Sequence, residues 1–260
     1  MLLRKLDAGW LAITQPAHAR VSAQIAAAWQ ADWAAAVAPR EAVIAGALLH
    51  DIGWLDWEAA PTWNPETGLP HSFLQLPIAT HIGMWRTAAQ RALSFGRYPA
   101  LLTSMHGTRL YGSRDLSRLP DSDATLIREF LTSEAARQST IIASLRSSAA
   151  TVEAVDDSQL AIHSQYVALW DAMSLAICGG IGEERSFTQV PTLGDEVPLR
   201  VAPTDHVDRH VLEPWPFGES DVALTFDARR IQTRFENEAE MRAALDAATW
   251  QHVSVELSPA

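Results

Sequence analysis

The 260-residue chain has one cysteine, Cys178, and one lysine, Lys5. A single cysteine excludes an intrachain disulfide framework and any cysteine-based zinc cluster. A single lysine leaves nearly all positive charge on arginine, and 31 acidic against 20 basic residues give a formal charge of −11. Such an acidic chain lacks the basic face needed for sequence-independent binding, so no nucleic-acid polymer is expected as a partner. Long apolar runs are also missing: no stretch reaches the roughly 18 residues of a membrane span. Arg4, Lys5 and the apolar run from Ala8 to Ile13, followed by Ala17-His18-Ala19, loosely imitate a secretory leader. That run is too short for one, so a cytoplasmic protein without a membrane partner is expected. Homo-oligomerisation is left open.

Apolar residues, in contrast, are plentiful. They make up 48% of the chain against 20% charged, enough to bury a sizeable core and to argue against disorder. Nine histidines beside one cysteine direct the search for a metal site toward nitrogen and oxygen ligands.

Apolar spacings of three and four predict helices over His18 to Val37, Glu41 to Asp51, Pro77 to Leu93, Pro99 to Leu110, Ala124 to Ser147 and from Asp156 or Asp157 to Cys178. Gly53 reads as a helix stop. Trp54 to Leu76, with Pro61, Pro65, Gly68 and Pro70, reads as a loop too long to be a bland connection. After Gly182 short strands are predicted at Val197 to Ala202, Val207 to Leu212, Val222 to Phe226, Arg229 to Phe235 and His252 to Leu257, with a helix over Glu238 to Ala247. The expected fold is mainly α: a helical bundle over 1–182 with an N-terminal strand or hairpin, and a small β-rich α+β appendage over 183–260 that the hairpin could complete.

Chemistry concentrates at the doublet His50-Asp51. His18 precedes it near the start of a helix, His81 and His106 follow on two others, and Asp171 sits inside an apolar helix. A buried carboxylate is costly without a partner, so Asp171 calls for a cation. This spacing, His18, His50-Asp51 and Asp171, resembles the HD superfamily of metal-dependent hydrolases. The stretches ITQPAHARVSAQIAAAW, HDIGWLDWEAAPTWNPETGLP, LLTSMHGTRLYG and LEPWPF look like an uncharacterised bacterial family within it. The resemblance implies an HD-type bundle and a metal centre. His81 and His106 match its two-metal subgroup, which includes cyclic dinucleotide phosphodiesterases and di-iron oxygenases. The implied ligands are His18, His50, Asp51, His81, His106 and Asp171. They would hold two divalent ions from the series Fe, Mn, Co, Ni and Zn, with Asp51 bridging and central to catalysis.

The sequence departs from better-known relatives. The doublet continues Ile52-Gly53-Trp54, where many relatives carry a lysine that can engage substrate, and no Gly-Tyr-Pro signature is present. Positive charge at the site is therefore expected from Arg109 or Arg20. Trp54, Trp57, Trp63 and Tyr111 either wall a flat substrate or pack the long loop onto the helices. The expected activity is a phosphohydrolase or phosphodiesterase acting on a small phosphorylated molecule or nucleotide. A di-iron oxygenase and a non-catalytic metal- or ligand-binding protein are the alternatives.

Overall fold

The structure is a computed structural model that describes residues 1–148, 151–194 and 197–260. The chain opens with an antiparallel hairpin, β1 (Leu2–Lys5) and β2 (Trp10–Ile13). Helices α1 (Gln15–Ala28) and α2 (Arg40–Leu49) follow. The region 52–76 holds a 3-10 turn at Ile52–Trp54, the short helix α3 (Leu55–Ala59), a two-residue ribbon of β3 (Trp63–Asn64) and β4 (Leu69–Pro70), and a second 3-10 turn at Phe73–Gln75. Next come α4 (Ile78–Ala92), α5 (Arg97–Gly112), α6 (Asp121–Arg146) and α7 (Asp157–Gly179). The last third contains β5 (Arg185–Phe187), β6 (Leu199–Pro203), β7 (Arg209–Glu213), β8 (Val222–Ile231), α8 (Glu238–Ala247) and β9 (Trp250–Pro259).

The expectation of a mainly α, HD-type bundle with a small appendage is overturned. The fold is α+β, built on a seven-stranded mixed sheet in the order β1-β2-β8-β9-β7-β6-β5. Its size comes from two long strands. Val222 to Phe226 and Arg229 to Ile231, read as parts of separate strands, run together as β8, which pairs with β9 over eight residues, and 232–235 lie outside it. Strand β7 lies parallel to β9, and β2 pairs antiparallel with β8, joining the N-terminal hairpin to the sheet.

A sheet of this width has an apolar face that must be covered. In β9, Val253, Val255 and Leu257 are buried while Ser254 and Glu256 face solvent. The buried side shares one core with α1 and α7: Leu224, Phe226 and Val255 join Val21, Ile25, Trp29, Trp170 and Met173. A two-way bond fixes α1 to the sheet. The Gln24 side chain donates to Thr225 O at 2.8 Å and accepts from Thr225 N at 2.9 Å. A smaller cluster on another face joins Trp54, Trp57 and Met84 to Ile231, Met241 and Leu245.

Two local expectations also change. The first helix ends at Ala28, and the chain runs irregularly to Pro39. Gly53 is not a left-handed cap; it lies in the 3-10 turn where the backbone meets α4, and a Cβ there would stand 2.5 Å from Met84 O. Among the described residues no helix is long and apolar enough to cross a membrane.

Candidate metal centre

Four helices deliver one buried cluster. The Thr14 side chain caps α1 by accepting from Ala17 N, and Pro16 is preset for the first turn. That start sets His18 one turn inside α1, fully buried. Helix α2 ends at His50. Asp51 follows with φ −105° and ψ 19°, close to the sparsely populated bridge region in which many active-site residues sit. This turn presents His50 and Asp51 to the same interior point. His106 comes from the middle of α5 and Asp171 from the middle of α7.

The distances define two overlapping groups, His18, His50, Asp51 and His50, His106, Asp171, each with its donor atoms within 4.8 Å of one another. His18 Nε2 lies 2.8 Å from Asp51 Oδ2, and its Nδ1 is 2.9 Å from Ser174 Oγ. Asp171 Oδ1 is 3.3 Å from His50 Nε2, and Asp171 Oδ2 is 3.5 Å from His106 Nε2.

His50 is the most informative member. Its Nδ1 faces the Ala47 carbonyl at 2.8 Å. A carbonyl only accepts, so Nδ1 carries the proton and donates. The other nitrogen, Nε2, is buried without a hydrogen-bond partner and points at two carboxylates, with Asp51 Oδ2 at 3.7 Å. A lone pair and two carboxylates converging in a dry interior need a cation between them, either a proton on Nε2 or a metal ion. A backbone carbonyl holding the far nitrogen is also the usual way a ligating imidazole is oriented. The donor set therefore fits a divalent transition metal.

The electrostatics agree. Burial alone would lower the His50 pKa, but Asp51 and Asp171 outweigh it and raise it to about 9. Burial works in the opposite sense on Asp51, yet His50 and His18 hold its pKa below the ordinary carboxylate value. Asp171 is likewise held low by His50 and His106 against the cost of burial. Burial, and then the charge of His50, push His106 down to about 4. The cluster thus keeps both carboxylates ionised and favours positive charge at its centre.

His81 lies apart from both groups. Its Nε2 is 2.7 Å from the Phe73 carbonyl, so it donates there, and its Nδ1 is 3.1 Å from the Tyr111 hydroxyl. Burial raises the Tyr111 pKa to about 12, so the phenol keeps its proton and donates to Nδ1. Both His81 nitrogens are engaged, and the residue fastens the Phe73–Gln75 turn to α4 and α5.

A cavity of about 160 Å³ opens onto the cluster, with Asp51, His106 and Asp171 on its inner wall. Trp54, Trp85 and Tyr111 also line it. Trp57 packs at the back of Trp54 with ring centroids 5.7 Å apart and is not part of the lining. Trp63 donates its indole N–H to Phe235 O and belongs to the ribbon region. Neither predicted arginine lines this cavity. Arg20 is exposed on α1, and Arg109 donates to Gln189 Oε1 at 2.7 Å.

Arg114 and Gln15, which sequence reading did not single out, do line it. Arg114 lies two residues beyond the end of α5, in a non-helical stretch, as its place after the expected helix stop at Leu110 implies. The available signal was its position three residues after Tyr111. Gln15 precedes the expected start of the first helix.

The family model described as "Protein of unknown function (DUF3891)" matches residues 1–233. No curated protein and no solved structure matches the chain.

Proposed function

The chain belongs to the family of unknown function DUF3891, and we propose that it is a metal-dependent hydrolase that acts on a small phosphorylated molecule. The observation that carries this reading is the orphaned His50 Nε2 aimed at Asp51 and Asp171 in a buried pocket that opens to a cavity on one side. A catalytic metal site needs such an open side, whereas a structural one is closed by protein ligands.

His18, His50, Asp51, His106 and Asp171 would hold the ion, and imidazole with carboxylate suits Mn, Fe, Co, Ni or Zn. A divalent ion there would lower the pKa of bound water and offset charge developing on a phosphoryl oxygen. The remaining roles belong to the chain. Asp51 faces the cavity and can take a proton from an incoming water. Ser174 steadies His18 through Nδ1, and Ala47 O steadies His50. Trp54 and Trp85 exclude bulk water from the inner wall.

One ion is favoured over two. His50 Nε2 offers a single lone pair and belongs to both groups, and His81 would have to release Phe73 and Tyr111 to ligate a second ion.

Elemental analysis of protein purified without chelators should give about one transition-metal ion per chain, and His50→Ala should lose it while keeping the wild-type circular dichroism spectrum. Unchanged metal content in that variant would sink the site; two ions per chain would sink the single-ion reading. Turnover of p-nitrophenyl phosphate and of other small phosphate monoesters with Mn, Co or Zn tests the reaction. Oxygen uptake by the iron-loaded protein, without hydrolysis of any ester, would overturn it.

A further inference from the structure

The cavity wall opposite the cluster carries a second kind of information. Arg114 is exposed at the mouth, and its guanidinium carbon lies 4.6 Å from the centroid of the Tyr111 ring. Among the described residues its side chain has no carboxylate within ion-pair distance, unlike Arg86, Arg91, Arg118 and Arg137. It is also the one basic residue lining this cavity apart from histidine. Held over the Tyr111 ring, the guanidinium has N–H groups with which arginine can take two oxygens of one anion.

Between Arg114 and the cluster the walls are mainly apolar. Phe73, Leu110 and Leu175 contribute, and Leu74 stands 80% exposed at the rim. Besides His81, whose ring nitrogens are both engaged, the exception is Gln15. It is 2% exposed, and its Oε1 has no partner. A buried amide without a hydrogen bond is costly unless a ligand supplies one. Size sets a further limit. A cavity of about 150 Å³ accommodates one benzene molecule, so about 160 Å³ holds a body near one aromatic ring and is too small to enclose a nucleotide.

We propose that the cavity recognises a compact organic anion, with an apolar body about one ring in size, a carboxylate or phosphate gripped by Arg114 at the mouth, and a polar group that bonds Gln15. This deepens the hydrolase reading and rests on it only for the inner end: the substrate is a small phosphate ester whose reacting end meets the His/Asp cluster and whose far end is anionic.

The experiment is a binding titration that needs no turnover. Benzoate and phenylphosphonate serve as anionic probes, with benzyl alcohol and benzylamine as neutral and cationic ones. Isothermal titration calorimetry reports occupancy, before and after removal of metal with a chelator. Saturable binding of an anionic probe is expected, about tenfold weaker in Arg114→Gln, as loss of a charge-assisted bidentate contact implies. Arg114→Lys should restore part of it, and Arg86→Gln should bind as wild type. Benzyl alcohol should bind weakly and equally to wild type and Arg114→Gln. The proposal is overturned if the anions bind Arg114→Gln as tightly as wild type, if chelation abolishes binding and Arg114→Gln does not weaken it, or if no probe saturates. Arg114-dependent binding without hydrolysis of any ester would leave this inference standing and remove the hydrolase reading.

Discussion

His163 is fully buried in α7, with Nδ1 2.5 Å from the Tyr98 hydroxyl. Burial raises the Tyr98 pKa and lowers that of His163 to about 4, so the phenol donates and the imidazole stays neutral. The folded value lies below the 6.5 of an ordinary imidazole. This pair therefore contributes its full stability above pH 6.5 and loses it as the pH falls toward 4, because the unfolded chain takes up the proton first. The depression corresponds to about 3 kcal/mol. Urea denaturation of wild type and His163→Gln should show the gap between them shrinking by about that amount from pH 7 to pH 4. A gap that stays constant would refute the assignment. Residue chemistry of this kind is partly legible in sequence. His18, His50, Asp51, His106 and Asp171 stand out as polar residues placed where apolar ones belong, and the structure brings all five together. His81 stands out equally, yet its partners are the Phe73 carbonyl and Tyr111, and a backbone carbonyl has no signature in sequence.

At the scale of elements, the site depends on how closely α4 and α5 approach the turn after α2. Gly53 permits the turn to meet α4, and Gly107 permits α5 to meet α4: an added Cβ would stand 2.5 Å from Met84 O at Gly53 and 2.9 Å from the Trp85 ring at Gly107. Gly53→Ala must move backbone, so a loss of about 1–3 kcal/mol is expected in chemical denaturation. Gly83→Ala in α4 is the matched control, since nothing lies within 4 Å of its Cβ position. Removing a helix-interior glycine there should be neutral or stabilise by up to about 1 kcal/mol. Equal effects at the two positions would refute the close-approach account. Helices were the more legible elements: the expected spans near α4, α6 and α7 differ from the observed ones by a few residues. Strand β5 is hidden because three residues carry too little alternation, and β8 reads as two strands because Asp227 looks like a strand breaker.

At the scale of the molecule, helices and sheet share one core, which sequence cannot show because β2 and β8 meet only after more than two hundred residues of intervening chain. Sequence reading saw the change of character after Gly182 but had no means to count strands into a single sheet. The shared core predicts one cooperative unfolding transition, with far-UV circular dichroism and tryptophan fluorescence coinciding. It also predicts that a chain ending at residue 182 will not fold by itself, since β2 would lose β8 and the sheet-facing sides of α1 and α7 would be bare. Two separated transitions, or a folded spectrum from residues 1–182, would overturn that expectation.

The distribution of the cluster along the chain bears on timing. Its members come from α1, the end of α2, α5 and α7, so apart from His50 and Asp51 each is joined to the next by a long stretch of polypeptide. Closing such loops is slow and entropically uphill until the helices have docked. An ion held there would therefore not seed the assembly; it would fasten a clasp whose halves have already met. Because the cavity reaches Asp51, His106 and Asp171, such a clasp would be open to refastening while the rest of the protein stays folded.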